Sequence, residues 1–339
     1  MNMSLEIVGI TVLWIFLYGY LIVASIDFGA GFFAFYGRMK GKEHTLNVLI
    51  SRYLSPVWEV TNVFFVFFFV GLVGFFPDAA YYYGTALLLP GSIAIILLAI
   101  RGSFYAFGNY GSKDNIVYLF LYGATGLLIP ASLSTALTIS EGGFLEEQGN
   151  KVVFLARELF TSPYSWSVVV LSIVSVLFIS ATFLTYYANR AGDMDSREEL
   201  RKFSLFWSPP TILASLLVFV SLREHNPEHF NSAIEIWWMF GLSLICFLGA
   251  SFFIYRRRNF GLAFILVMLQ FFFAFFGYGA SHLPYILKPF ITIETGVTNP
   301  TMGMALVVVF IAGLLLLIPS LYLLMRLFLF DADYVKGNK

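Results

Sequence analysis

The sequence predicts an all-α, polytopic helical membrane protein, and three observations predict it. Hydrophobic residues make up 59% of the 339 and charged residues only 12%, against about 25% charged in soluble domains. The apolar residues run in long blocks, near or above the roughly 20 that a helix needs to cross a bilayer. Nothing alternates over segments of about 10 residues as a transmembrane β-strand would. Net charge is zero, so no nucleic acid or other polyanionic partner is implied. The single cysteine, Cys246, lies in an apolar run. It leaves no disulfide within the chain and no multi-cysteine metal centre. The first apolar stretch runs on too far for a cleavable signal.

Nine apolar segments cover roughly residues 6–36, 53–76, 79–108, 115–139, 164–189, 203–222, 232–255, 259–284 and 303–330, each long enough to be read as a span. The first carries Asp27 and the second opens at Pro56 and Glu59. Arg101 comes late in the third, and the fourth has hydroxyls around Pro130. The sixth contains Pro209-Pro210, and the eighth is dense in phenylalanine. Loop charge orients them. Fifteen of the twenty Lys and Arg residues fall in alternate connections and the C-terminal end, among them Arg38, Arg201, Arg256 and Arg326. Only Lys151, Arg157, Arg223 and Lys288 lie on the other side, and Arg101 is inside a span. The positive-inside rule then places the N-terminus outside and the C-terminus in the cytoplasm. The longest connection, 140–163, divides the chain. Residues 1–145 form a first four-helix unit, 146–290 a second, and 291–339 a last helix with its tail.

Asp27, Glu59 and Arg101 are ionisable groups inside apolar stretches, on three helices, toward the same side of the bilayer. Each costs about 2.5–3.5 kcal/mol even on lenient insertion scales, so they are expected to pair, hydrate or work. Trp58 precedes Glu59, and Asn62 follows it by three residues on the same helix face. Gly29 and Gly31 let another backbone approach closely. Thr125, Ser132, Ser134 and Thr135 form a polar seam on the fourth helix, and acids joined to hydroxyls are the material of a proton relay. Bland alternatives stand beside this. Arg101 can snorkel to the headgroups, and Asp27 with Arg101 can be a purely structural pair.

No metal site is expected. His225 and His229 have a helical metal spacing but flank Pro227 in an outer loop with no third ligand, so a solvated loop is the plainer reading. His44 lies in a basic loop and His282 near the outer end of the eighth helix. Cys246 reads as a small buried hydrophobe. The phenylalanines at 64–76 and 271–276 read as lipid- or subunit-facing surface. No phosphate-cradling glycine motif and no nucleophile–histidine–acid pattern is present, so no catalytic residue is assigned to this chain alone.

Asp27-Phe28-Gly29-Ala30-Gly31, then Pro56-Val57-Trp58-Glu59-Val60-Thr61-Asn62-Val63, then Arg101 resemble the second subunit of cytochrome bd-type quinol oxidases. The first hundred residues carry the likeness, and the remainder matches in layout. The resemblance implies two four-helix bundles plus a peripheral helix in a bacterial plasma membrane. It implies a complex that oxidises quinol and reduces dioxygen to water. Two haems b and one haem d are expected in a large partner subunit, with no haem ligated by this chain. The lack of a mid-membrane histidine agrees with that. A small single-helix subunit often accompanies the pair. Asp27 and Glu59 are then members of a cytoplasmic proton path, with Arg101 as electrostatic partner. Glu59 stands where many relatives have aspartate, and Val57 where they have histidine. Gly102-Ser103-Phe104-Tyr105-Ala106-Phe107 is less polar than its counterpart, which marks a divergent branch. Two rival readings are open: a secondary transporter or ion channel with an intramembrane carboxylate site, and a non-catalytic scaffold whose charges are structural.

Overall fold

The computed structural model describes residues 5–41, 43–108, 116–149 and 151–326, without the side chains of 43–45, 47–48, 51–60, 104–108 and 324–325. In chain order the elements begin with α1 (Leu5–Met39), α2 (Glu43–Phe75), α3 (Pro77–Ala86), α4 (Leu88–Gly108), α5 (Ile116–Leu133) and α6 (Thr135–Ser140). A hairpin follows, β1 (Leu145–Gln148) with β2 (Lys151–Phe154), then α7 (Ala156–Thr161), α8 (Pro163–Ala191) and α9 (Met194–His225). The last elements are α10 (Pro227–Glu235), α11 (Trp237–Tyr255), α12 (Phe260–His282), a second hairpin β3 (Tyr285–Leu287) and β4 (Ile291–Thr292), and α13 (Pro300–Met325). Both hairpins are antiparallel and lie in connections between helices.

Among the described residues seven helices are long and apolar enough to cross a membrane, and α3 with α4 makes an eighth if the pair is one span. α2 adds the shorter apolar stretch Thr61–Phe75. The protein is thus a multi-pass membrane protein of the all-α class. The third apolar segment is not a straight span, because α3 and α4 meet at 80°. Pro90, in the first turn of α4, has no N–H to offer Ala86 and cannot continue the α3 ladder. The segment 232–255 is likewise divided, at Ile236, between α10 and α11.

Tight local chemistry sets the α8–α9 turn. Gly192 ends α8 with φ +75°, a conformation that costs glycine little. Asp193 then caps α9: its carboxylate accepts from Ser196 N at 3.0 Å and from Ser196 Oγ at 2.6 Å. α8 is the most buried of the long helices and α13 the least. α1 packs against α2 and α5 on one side and against α8 on another. At the α1–α8 crossing a Cβ on Gly29 would collide with Ser180, whose Oγ donates to Ile26 O at 2.9 Å.

The phenylalanines correct the sequence expectation of a greasy outer surface. Phe75 and Phe76 are fully buried, and Phe64 is nearly so. Phe67 stacks on Phe16, and Phe310 of α13 meets both Phe16 and Phe75. Phe272, Phe275 and Phe276 pack on Tyr18 of α1. Aromatic faces and edges interlock in this way because the ring quadrupole favours tilted and offset contacts. Cys246 is buried, as expected.

Candidate functional site

Close backbone approaches between α1 and α5 frame a small polar site that α4 completes. A Cβ on Gly31 would lie 2.6 Å from Tyr122 O, and one on Gly126 would run into Phe28 O. With hydrogen in those places α5 settles directly onto α1, the helix contact that small residues permit in membranes. Arg101 enters the gap from α4.

Arg101 is completely buried and Asp27 is 1% exposed. The Arg101 Nε donates to Asp27 Oδ2 at 3.0 Å. Its Nη1 donates to Tyr122 O at 2.7 Å and its Nη2 to Asp27 O at 2.6 Å. Tyr122 Oη donates to the other carboxylate oxygen, Oδ1, at 3.2 Å. The guanidinium also lies over two rings, 4.0 Å from the Tyr122 centroid and 5.3 Å from that of Phe28. All three guanidinium nitrogens are therefore engaged. Burying an ion costs several kcal/mol, offset only by good geometry and further hydrogen bonds, and both are present. Arg101 consequently does not snorkel to the headgroups.

Tyr122 was not singled out by sequence reasoning. A tyrosine in an apolar helix carries no signal of its own, and its pairing with Asp27 spans 95 residues. Thr125, from the predicted seam, does reach the chamber, where its Oγ1 donates to the same Tyr122 carbonyl at 3.2 Å. The rest of the seam goes elsewhere. Ser132 donates to Pro90 O at 2.7 Å, Ser134 to Ala131 O at 2.9 Å and Thr135 to Ser132 O at 2.6 Å. Their protons serve backbone carbonyls, and none hydrogen-bonds to Asp27 or Arg101 among the described residues. Asn62 is half-buried on α2. The side chains of Trp58, Glu59 and His44 lie outside the described ones, as do Lys42 and Lys113 altogether. Tyr20, two turns before Asp27 on α1, holds a buried hydroxyl with no hydrogen-bond partner among the described residues.

A second polar cluster sits at the far end of the molecule, built on Glu141 just after α6. Glu141 and His229 have fully buried side chains. The carboxylate accepts from Asn226 Nδ2 at 2.7 Å, lies 2.8 Å from His229 Nδ1, and takes a short hydrogen bond from Tyr278 Oη. Burial opposes ionisation of Glu141, but the neighbouring imidazoles of His229 and His282 outweigh it and hold the carboxyl below the usual carboxylate range. This corrects the solvated-loop expectation for His225 and His229. His225 is clamped between the rings of Phe144 and Tyr164 at 5.2 and 5.1 Å and hydrogen-bonds to Gly142 O. The two histidines do not converge. The partners of His229 are 88 and 52 residues away, a separation no local spacing rule reads.

The fold and the site define a multi-pass helical membrane protein that holds an aspartate–arginine ion pair deep in its apolar core. The chain matches the family described as cytochrome bd terminal oxidase subunit II over residues 5–328, and it belongs to that family. It is 33% identical over 343 residues to a Bacillus subtilis (strain 168) protein named for subunit II of a cytochrome bd menaquinol oxidase, covering 98% of each. It is 61% identical to a chain of the bd oxidase structure from Geobacillus thermodenitrificans, with a TM-score of 0.85 over 97% of this chain and 100% of that one. The protein is therefore one subunit of a membrane oxidoreductase complex in bacteria. That sets aside the transporter and channel readings.

Proposed function

We propose that this chain is the non-haem-ligating membrane subunit of a terminal oxidase that oxidises quinol and reduces dioxygen to water, and that it supplies the cytoplasmic proton intake for that reaction. The haems of the complex supply the oxygen chemistry from the large partner subunit. The described histidines support that division. The rings of His229 and His282 stand 5.0 Å apart, closer than two axial imidazoles on opposite faces of a macrocycle could stand, and His225 is sandwiched between other rings. A small single-helix subunit completes the assembly in this reading. Loop charge sets the N-terminus outside and the C-terminus in the cytoplasm, and residues 1–145, 146–290 and 291–339 form the two bundles and the peripheral helix.

The observation that carries the intake reading is the buried Asp27–Arg101 pair. Arg101 Nε donates to Asp27 Oδ2, and Tyr122 Oη brings a second proton-carrying group to Oδ1. Glu59, carried by α2, which packs on α1, is the exchangeable acid in this reading, and Asp27 with Arg101 is its fixed charge pair. A carboxylate held by a guanidinium on one oxygen and a tyrosine hydroxyl on the other is a poor shuttle, so the moving proton belongs on Glu59 and the fixed charge on Asp27. The complete engagement of Arg101 also favours a second reading, in which the pair only holds α1, α4 and α5 together.

Substitution in the assembled complex separates them. Glu59→Gln should slow quinol-driven oxygen consumption while haem content and quinol binding stay near wild type. Asp27→Asn should reduce turnover and assembly together. Wild-type oxygen consumption in Glu59→Gln, with wild-type spectra, refutes the intake. Loss of haem-loaded complex in Asp27→Asn alone, with Glu59→Gln unaffected, establishes the structural reading.

A further inference from the structure

The Glu141 cluster is chemically incomplete, and the deficit is cation-shaped. Ser281 has one hydroxyl proton, and its Oγ lies 3.0 Å from Gly277 O and 2.9 Å from Tyr278 O, the usual acceptors one turn back on α12. Ser281 Oγ lies 2.7 Å from His229 Nε2, and His229 Nδ1 lies 2.8 Å from Glu141 Oε1, so both imidazole nitrogens of His229 face polar atoms of the cluster. His282 sharpens the point. It is 7% exposed, and neither ring nitrogen has a hydrogen-bond partner among the described residues. Its Nδ1 nevertheless lies 3.4 Å from the same Oε1. A buried imidazole with both nitrogens unpaired is costly, and this one is aimed at a carboxylate.

We propose that Glu141, His229 and His282 form a binding site for a divalent transition-metal ion of the zinc class. One ligand atom from each comes within 4.8 Å of the others, and all three residues are buried. Two imidazoles and one carboxylate are a donor set that zinc accepts, at about 2.0–2.2 Å from each atom. Imidazole also selects against magnesium and calcium, which prefer oxygen. The outer shell that metal sites need is already in place. His229 Nε2–H is held by Ser281, and Glu141 Oε2 is held by Asn226. Tyr278 Oη is hydrogen-bonded to the other carboxylate oxygen, Oε1. The ion would tie together the turn after α6, the start of α10 and the end of α12. These three segments would share one cross-link. Two successive glycines with positive φ, Gly142 and Gly143, let the chain turn away directly after the ligand.

The test uses the purified complex, equilibrated with micromolar free zinc, freed of excess and assayed for zinc against haem iron. One equivalent is expected in wild type, none in His282→Ala, and in Ser281→Ala an affinity lower by about 10- to 100-fold, as for other outer-shell losses. Zinc-edge X-ray absorption on wild type should report two imidazoles with oxygen at about 2.0–2.2 Å, and it needs no variant. Chelation should lower the melting midpoint, and zinc but not magnesium should restore it. Absence of zinc from wild type overturns the site, and the gap between His229 and Glu141 then holds a proton. Zinc retained in His282→Ala, or an absorption spectrum with thiolate ligands, places the ion elsewhere and overturns it equally.

Discussion

Arg101→Met leaves the Asp27 carboxylate in place with its principal counter-charge gone. Asp27 is 1% exposed, and Tyr122 Oη still donates to it at 3.2 Å. Removing one partner from a buried pair costs about 3–5 kcal/mol, mostly because the other charge is left uncompensated. Most of that cost should vanish when Asp27→Asn is added, since the double variant carries no ion into the apolar chamber. What remains is the loss of the Arg101 hydrogen bonds to Tyr122 O and Asp27 O. Both carbonyls belong to helices and keep backbone donors, so that residue of cost is about 1 kcal/mol. The assay is a double-mutant cycle on the purified complex, read as the denaturation midpoint and as haem retained through purification. A coupling energy of about 2 kcal/mol or more is expected, at the upper end of what touching residues show. Additive single effects, or a cost for Arg101→Met under about 1 kcal/mol, would fit a solvated surface pair and refute the buried-charge argument.

Other outcomes follow from single contacts. Tyr122→Phe keeps the ring under Arg101 at 4.0 Å and loses one hydroxyl, so it should cost about 1 kcal/mol, well short of Arg101→Met in the same denaturation assay. Gly126→Ala and Gly31→Ala force a Cβ into the facing backbone of Phe28 and Tyr122, and the yield of haem-loaded complex should collapse. Gly84→Ala, with nothing within 4 Å, should assemble normally. Lys288 holds the exposed Glu228 carboxyl below its ordinary range. That contact is present above the ordinary carboxylate pKa and is lost as pH falls through the lowered one. Because Glu228 is largely exposed, Glu228→Gln should leave the melting midpoint unchanged near neutral pH.

Much of this protein was legible before any coordinates. Long apolar blocks have one stable form in lipid, the helix, because every backbone polar group must be satisfied within its own segment. The uneven loop charge and the cost of Asp27, Glu59 and Arg101 in apolar runs are equally local properties. They pointed to the family, and they pointed to α1 and α4 as carriers of a charge centre. The bend between α3 and α4 had its cause in plain view at Pro90, although hydropathy alone passes over it.

Tertiary structure decided which faces meet. A helix that is apolar all round has no polar stripe to say which side turns inward. The sequence therefore could not tell that Phe75, Phe76 and Phe310 are core, or that Ser132, Ser134 and Thr135 turn to carbonyls rather than to Asp27. Nor could it tell that Tyr122 closes the aspartate–arginine pair. The Glu141 cluster was the least visible of all. Its members stand 85, 88 and 137 residues from the carboxylate they surround. Only the packing of α10 and α12 over the end of α6 brings two ordinary loop-end histidines against one buried acid.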